Sequence, residues 1–351
     1  MKIGRISESI LKRSVLRQIK THRDEVLKGA GVGEDCAFFS WDRSATAVST
    51  QTVTLPTGLA PDLAVLAAVN NLAAGGAEPF AVTAAVTLPV EAEESQLKII
   101  MSRLERKCKD LGIELAGGHT EVSPAVSTPV ISITAFGKVR NTSNTRGNAE
   151  KQQNRCERGK DTSSKPLITE RGNKDLDIVV SKWIGLEGTV ILANDKQEEL
   201  LGRYPQNLIL AAQRFEPYLS VLPEAALADE SDVYMMHDMR NGGIFAALWE
   251  ISQRIGVGLT IDLKKIPIKQ ETIEICEFYE LNPYVLLSGG GLIMLTENGK
   301  ALVKKLEENG ISAAVIGSTN SSNDKIVMNE EETRYLEPPV PDEIYKVFYN
   351  I

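Results

Sequence analysis

Residues 141–177 read NTSNTRGNAEKQQNRCERGKDTSSKPLITERGNKDLD. The stretch is rich in Asn, Ser, Gly, Lys and Arg and holds almost no large apolar side chain. Such a segment buries too little surface to offset the entropy of ordering it. It is also long for a loop inside one packed unit. The chain is therefore expected to form two halves, residues 1–140 and 178–351, joined by a flexible polar linker or insertion over 141–177. Its positive charge admits a docking role, but a solvated connector accounts for it without one.

Both halves alternate short apolar runs with helical patterns, which makes each an α/β or α+β unit. In the first half, 45–54 and 81–88 read as strands. Residues 61–74 read as a helix, with Pro61 in its first turn and Gly75-Gly76 at its stop. The stripe Leu97, Ile100, Met101, Leu104, Cys108 and Leu111 predicts an amphipathic helix over 91–111. Strands are expected at 113–116 and 130–136. In the second half, 178–181, 190–193, 233–236, 257–261, 292–295 and 311–316 read as strands. Residues 206–219, 243–254 and 299–309 read as helices.

The composition is that of a globular protein, 42% hydrophobic and 25% charged over 351 residues. The net charge of -8 argues against a nucleic-acid or anionic-membrane surface, which needs a basic patch. The Ala-rich stretch 59–88 is broken by Asp62, Asn70, Asn71, Glu78 and Pro79 and is not expected to cross a bilayer. Met1 to Glu8 has no apolar signal core, so a cytoplasmic location is expected. Cys36, Cys108, Cys156 and Cys276 are scattered and form no CxxC, which predicts neither a zinc site nor a disulfide framework.

Four fragments carry candidate chemistry. Gly33-Glu34-Asp35-Cys36-Ala37 follows a Gly31-Val32-Gly33 turn, where a backbone can approach phosphate and Asp35 can hold a metal. A plain surface turn reads the same way. Gly117-Gly118-His119-Thr120-Glu121 follows an expected strand, and His119 can meet a phosphate or substrate or simply be hydrogen-bonded. His237-Asp238-Met239-Arg240-Asn241-Gly242-Gly243 joins a strand to a helix start, which suits an anion. Capping by Asp238 or Asn241 is the structural alternative. Leu286-Leu287-Ser288-Gly289-Gly290-Gly291 reads first as a tight bend between strands.

These fragments, with Ser49-Thr50-Gln51-Thr52-Val53-Thr54 and Val69-Asn70-Asn71-Leu72-Ala73-Ala74-Gly75-Gly76-Ala77-Glu78-Pro79, resemble the PurM-like ATP-binding superfamily. The resemblance covers nearly the whole chain. Ile178-Val179-Val180-Ser181-Lys182-Trp183, Leu186-Glu187-Gly188-Thr189 and Pro339-Val340-Pro341-Asp342-Glu343 are similar to its AIR synthase-related, HypE-like branch.

The resemblance implies a two-domain fold, with an ATP-binding N-terminal domain whose sheet forms a shared barrel in a homodimer. It implies ATP and Mg²⁺ as cofactors, with Gly33, Glu34, Asp35, Gln51, Asn71, Gly117, Gly118, His119, Asp238, Gly242 and Gly243 around the nucleotide. The metal positions would be Asp35, Gln51 and Asn71. Superfamily members carry Asp where this chain has Gln51 and Asn71, so the site is more neutral by two charges. The resembled Asp-X-Thr-X-Gly-Gly has Arg240 at its Thr position, which would grip a phosphate or fill the site. HypE ends in a reactive Cys, whereas here the last Cys is Cys276, so the resemblance implies ancestry rather than that reaction.

Two functions follow as expectations. One is ATP binding with phosphoryl transfer to an oxygen of a small substrate, Asp238, Arg240 and His119 being the catalytic candidates. The other is a noncatalytic nucleotide- or metabolite-binding or scaffold protein.

Overall fold

The computed structural model describes residues 8–19, 26–41, 44–140 and 175–349. The connector expected over 141–177 lies outside the described residues except at 175–177, as does Cys156. The chain separates into two units, each with its own sheet.

The first unit takes in residues 25–29 and 35–140. Its sheet is built from β1 (Val26–Lys28), β2 (Ala37–Trp41), β3 (Ser44–Val53), β4 (Ala77–Leu88), β5 (Glu114–Val122) and β6 (Val130–Val139). The order is β1-β2-β3-β6-β4-β5. Neighbours run antiparallel except β4 and β5, which are parallel.

Helix α1 (Ala60–Ala74) lies against β3, β6 and β4, with α2 (Glu94–Asp110) packed on it. Every residue of α1 is buried, because sheet and helix cover it from both sides. Its Asp62 is held by Arg103 at 2.5 Å and Arg106 at 3.1 Å from α2. The stripe read from the sequence is the buried one: Ile100, Leu104 and Cys108 face inward.

Of the described residues, the second unit takes in 8–19, 30–34 and 175–349. Its strands are β7 (Asp177–Ser181), β8 (Val233–Met239), β9 (Gly258–Asp262), β10 (Gly291–Thr296), β11 (Ala313–Asn320), β12 (Lys325–Asn329) and β13 (Glu332–Tyr335). They order as β13-β12-β9-β11-β7-β10-β8. Around them run α3 (Leu186–Asp195), α4 (Gln206–Gln213), α5 (Leu222–Asp229), α6 (Gly243–Ile255), α7 (Gln270–Phe278), α8 (Gly299–Glu308) and α9 (Ile344–Tyr349). Strand β10 is buried along its whole length and β7 nearly so, which fits a sheet covered on both faces. One face packs Ile178, Val180 and Ile293 against Ile244, Leu248 and Ile251 of α6.

Three local readings change. Val190–Ala193, expected as a strand, lies in the buried part of α3. A short apolar run does not distinguish a strand from a fully buried helix. The helix expected over 206–219 stops at Gln213 and resumes as a 3₁₀ turn at Glu216–Leu219, where Pro217 has no N–H to donate. The fragment Gly117–Glu121 lies within β5 rather than in a turn after it. Gly118 explains this: a Cβ there would sit 1.8 Å from the Ala84 carbonyl oxygen, so its glycine lets β5 close onto β4.

Candidate functional site

In the first unit, β3 and α1 assemble the residues expected to meet a nucleotide. Successive strand residues alternate faces, so Ala47, Ser49, Gln51 and Val53 point together toward α1. The Asn71 Nδ2 donates to Ser49 Oγ at 3.1 Å, and Ser49 Oγ donates to the Asp35 carbonyl at 3.1 Å. Cys36 Sγ adds a contact to the Asn71 carbonyl at 3.4 Å. Asp35 and Asn71 are thereby joined through Ser49, with Gln51 next along the same face.

Ser49 was not among the expected site residues. Its signal was its spacing, two residues before Gln51. Asn71 and Ser49 are buried, whereas Asp35 and Gln51 are half-buried. The donor set is one carboxylate and two amides. Among the described residues, no three His, Cys, Asp or Glu side chains gather to hold a metal ion.

His119 and Glu121 lie on the edge strand β5, with side chains 70% and 51% exposed and 3.4 Å apart. No buried network holds this His. The face of the sheet opposite α1 carries Thr50 paired with Thr134 at 3.0 Å and Thr52 paired with Ser132 at 2.8 Å.

The second unit holds Gly33 and Glu34. Gly33, at φ 69°, would bring a Cβ to 2.8 Å from the Glu250 carbonyl oxygen of α6. Glu34 pairs with Arg254 at 3.2 Å.

The fragment His237–Gly243 is internally committed. His237, buried, meets Glu250 at 3.0 Å. Asp238, also buried, lies in the field of Lys182 and Arg240. Arg240 donates through Nη2 and Nε to the two carboxylate oxygens of buried Glu187, at 3.1 and 3.3 Å. At the helix start, expected to present free N–H groups, those of Gly242, Gly243 and Phe245 are taken. Gly242 N donates to Asp342 Oδ2 at 2.6 Å, Gly243 N to the Arg240 carbonyl at 3.1 Å and Phe245 N to the Tyr284 carbonyl at 3.3 Å. Buried N–H groups need partners, and the surrounding chain supplies them.

Residues that the sequence reading did not single out complete this cluster. Lys182, at φ 56°, is buried beside fully buried Glu224 at 2.5 Å. Its ammonium also donates to the carbonyls of Tyr218 (2.8 Å), Ser220 (2.6 Å) and Gly290 (2.9 Å). Burial draws Lys182 below the ordinary lysine range, and Glu224 opposes that shift. The three glycines 289–291 serve close approach: a Cβ on Gly289 would lie 2.1 Å from Glu187 Oε2.

Asp342 accepts from Gly242 N, from Leu287 N at 3.1 Å and from Ile344 N at 3.0 Å. Burial nevertheless pushes its carboxyl up to about 7, against the effect of those three donors. Its one sequence signal was its place after Pro339-Val340-Pro341, a segment stiff enough to aim it.

No helix among the described residues is long and apolar enough to cross a membrane. The family model described as AIR synthase related protein, N-terminal domain, matches residues 33–139, and the corresponding C-terminal domain model matches 175–329. A Methanocaldococcus jannaschii protein assigned to hydrogenase expression or formation is 26% identical over 290 residues, covering 81% of this chain and 78% of its own. The carbamoyl dehydratase HypE of Rhodobacter capsulatus is 24% identical over 269 residues, covering 76% and 71%. The structure of a hydrogenase maturation protein HypE in complex with ATP superposes with a TM-score of 0.65 at 19% identity, covering 97% of each chain. At that identity the likeness concerns the fold.

Proposed function

The chain belongs to the AIR synthase-related family, in its HypE-like part, and from that premise we propose that it binds ATP through its first unit. Asp35 supplies the one carboxylate, and Gln51 and Asn71 supply neutral amide oxygens. The observation that carries this reading is the Asn71–Ser49–Asp35 chain of hydrogen bonds, with Gln51 beside it on the same strand face. The ATP-bound HypE of the same fold supports the choice of nucleotide.

Without a nucleotide, one carboxylate and two amides do not make a resident magnesium site, since magnesium relies on one or two carboxylates plus phosphate oxygens. With ATP bound, Asp35 and the phosphate oxygens together would hold the ion, with Gln51 and Asn71 as neutral auxiliary ligands. Bound ATP supplies a transferable phosphoryl group, and the residues named here hold and orient it. Gly117, Gly118 and His119 lie on β5, where exposed His119 is available to a phosphate or to a second chain.

Binding is favoured over catalysis. Arg240 is neutralised by Glu187, and the α6 start is engaged by Asp342, Arg240 and Tyr284. A noncatalytic nucleotide-binding protein fits those commitments better than a phosphoryl transferase.

The test is thermal unfolding with and without Mg-ATP, for the natural chain, Asp35→Ala, and the double variant Gln51→Asp, Asn71→Asp. At a hundred times the dissociation constant, ATP should stabilise the natural chain by about 2.7 kcal/mol, and Asp35→Ala should lose the shift. A shift only in the double variant would mean that the site has decayed. ATP turnover by the natural chain, abolished in Asp35→Ala, would replace binding by catalysis. The hydroxyl-lined face of the first sheet supports pairing into a homodimer, and a monomer by light scattering at micromolar concentration would refute that part.

A further inference from the structure

Four oxygens of the second unit converge on one nitrogen. Lys182 Nζ lies 2.8 Å from the Tyr218 carbonyl oxygen, 2.6 Å from that of Ser220, 2.9 Å from that of Gly290 and 2.5 Å from Glu224 Oε1. An ammonium has three N–H donors. Four oxygens at bonding distance therefore form a coordination shell around a charge rather than the acceptors of three directed bonds.

The fold builds this shell from three places. The chain from Tyr218 to Ser220 supplies two carbonyls, the glycine bend supplies the third, and α5 supplies the carboxylate. Gly290, at φ 101°, lets the bend reach the others, since a Cβ there would sit 2.6 Å from the Tyr218 carbonyl oxygen. Carbonyl oxygens aimed at one buried point repel one another unless a cation lies between them. Asp238, near the end of β8, adds negative field, which it shares with Arg240.

Two features set this cage apart from an ordinary buried ion pair. Glu224 is fully buried, yet its Oε2 has no hydrogen-bond partner among the described residues, while Oε1 takes Lys182 and the Ser181 hydroxyl together. A free cation needs no N–H directions and can take both oxygens of one carboxylate. Lys182 also holds φ 56°, a backbone conformation open to glycine and unfavourable for lysine. The backbone at 182 suits glycine, and the ammonium accounts for the lysine.

We propose that Lys182 is the tethered occupant of a cage for a monovalent cation of ammonium or potassium size, so that the chain carries this ion on its own side chain. One positive charge answers Glu224, since Asp238 is also in the field of Arg240. The distances of 2.5 to 2.9 Å exceed the 2.0–2.1 Å that magnesium demands, and most exceed the range for calcium. The ion fixes Gly290, and with it the bend whose Gly289 lies against Glu187, the partner of Arg240. This site belongs to the second unit and stands independently of the nucleotide reading.

The experiment is urea unfolding of the natural chain, Lys182→Gly and Lys182→Met, followed by tryptophan fluorescence. Choline chloride is exchanged for potassium or ammonium chloride at constant ionic strength. Lys182→Gly opens the cage and relaxes the backbone. Its folding equilibrium constant should rise about tenfold for each tenfold rise in potassium or ammonium once the cage begins to fill. Lys182→Met leaves an uncharged stem in the cage and should respond no more than the natural chain, which should not distinguish these ions from choline.

A Lys182→Gly chain that folds only with potassium or ammonium would also support the cage. One that gains no more from these ions than from choline, or that fails to fold in all three salts, would overturn it. The natural chain gives a second measurement. The nitrogen-15 shift of the Lys182 side chain should be that of an ammonium at neutral pH, with slowly exchanging protons. A neutral amine would overturn the proposal, because no cation would then occupy the cage.

Discussion

Lys182→Met is the most informative single change in the second unit. The buried Lys182 ammonium meets Glu224 at 2.5 Å and three carbonyls at 2.6 to 2.9 Å. Methionine keeps the stem and deletes the charge. It leaves the Glu224 carboxylate fully buried without that cation, and it removes a donor from Tyr218, Ser220 and Gly290. Breaking a buried pair by removing one partner costs about 3–5 kcal/mol. The positive φ is kept by Met as by Lys, so no relief of backbone strain offsets the loss. The expected loss is therefore about 3–5 kcal/mol.

Glu224→Leu should lose a similar amount, since it strands the ammonium. The double variant removes both charges, leaving three carbonyls short of a donor and the Ser181 hydroxyl short of its Glu224 acceptor. It should be less destabilised than the sum of the singles by well over 1 kcal/mol. Urea unfolding followed by tryptophan fluorescence is a suitable assay, because Trp183 adjoins Lys182 and packs on Phe215 and Tyr218. Calorimetry would separate the transitions of the two units. A single-variant loss below about 1 kcal/mol, or strict additivity in the double variant, would refute the buried-pair argument.

Two further outcomes follow from the same geometry. Gly118→Ala should destabilise the first unit by about 1–3 kcal/mol, because its Cβ would meet the Ala84 carbonyl 1.8 Å away and its φ of 149° suits glycine; an unchanged urea midpoint would contradict the close β4–β5 approach. Asp342 has a folded value raised from 3.8 to about 7, so its stabilising contribution is complete below about 4 and lost as pH rises to about 7, by at most about 4 kcal/mol. The stability difference between the natural chain and Asp342→Asn should therefore move against the natural chain from pH 4 to 7. A constant difference would refute the shift.

The sequence by itself determined the elements whose signal is local. The α2 stripe Ile100, Leu104 and Cys108 is a helical period that any solvent-facing helix must show, and it is the stripe that is buried. The strand over 45–54 and the Gly stops after helices were equally legible, since alternation and positive φ are written residue by residue. The family was legible for the same reason, as its fragments are contiguous.

Burial on all sides erased the local period elsewhere. Val190–Ala193 packs all round within α3, so its apolar run read as a strand. Partnerships between distant residues left no mark in the chain order. Ser49 joins Asn71 to Asp35 only because β3 runs beneath α1. Glu187 claims Arg240, and Asp342 claims Gly242, across 53 and 100 residues. The sequence could offer Arg240 and the α6 start as anion ligands. Tertiary structure decided that both are already engaged, because a buried charge or N–H takes whichever partner the fold brings within reach.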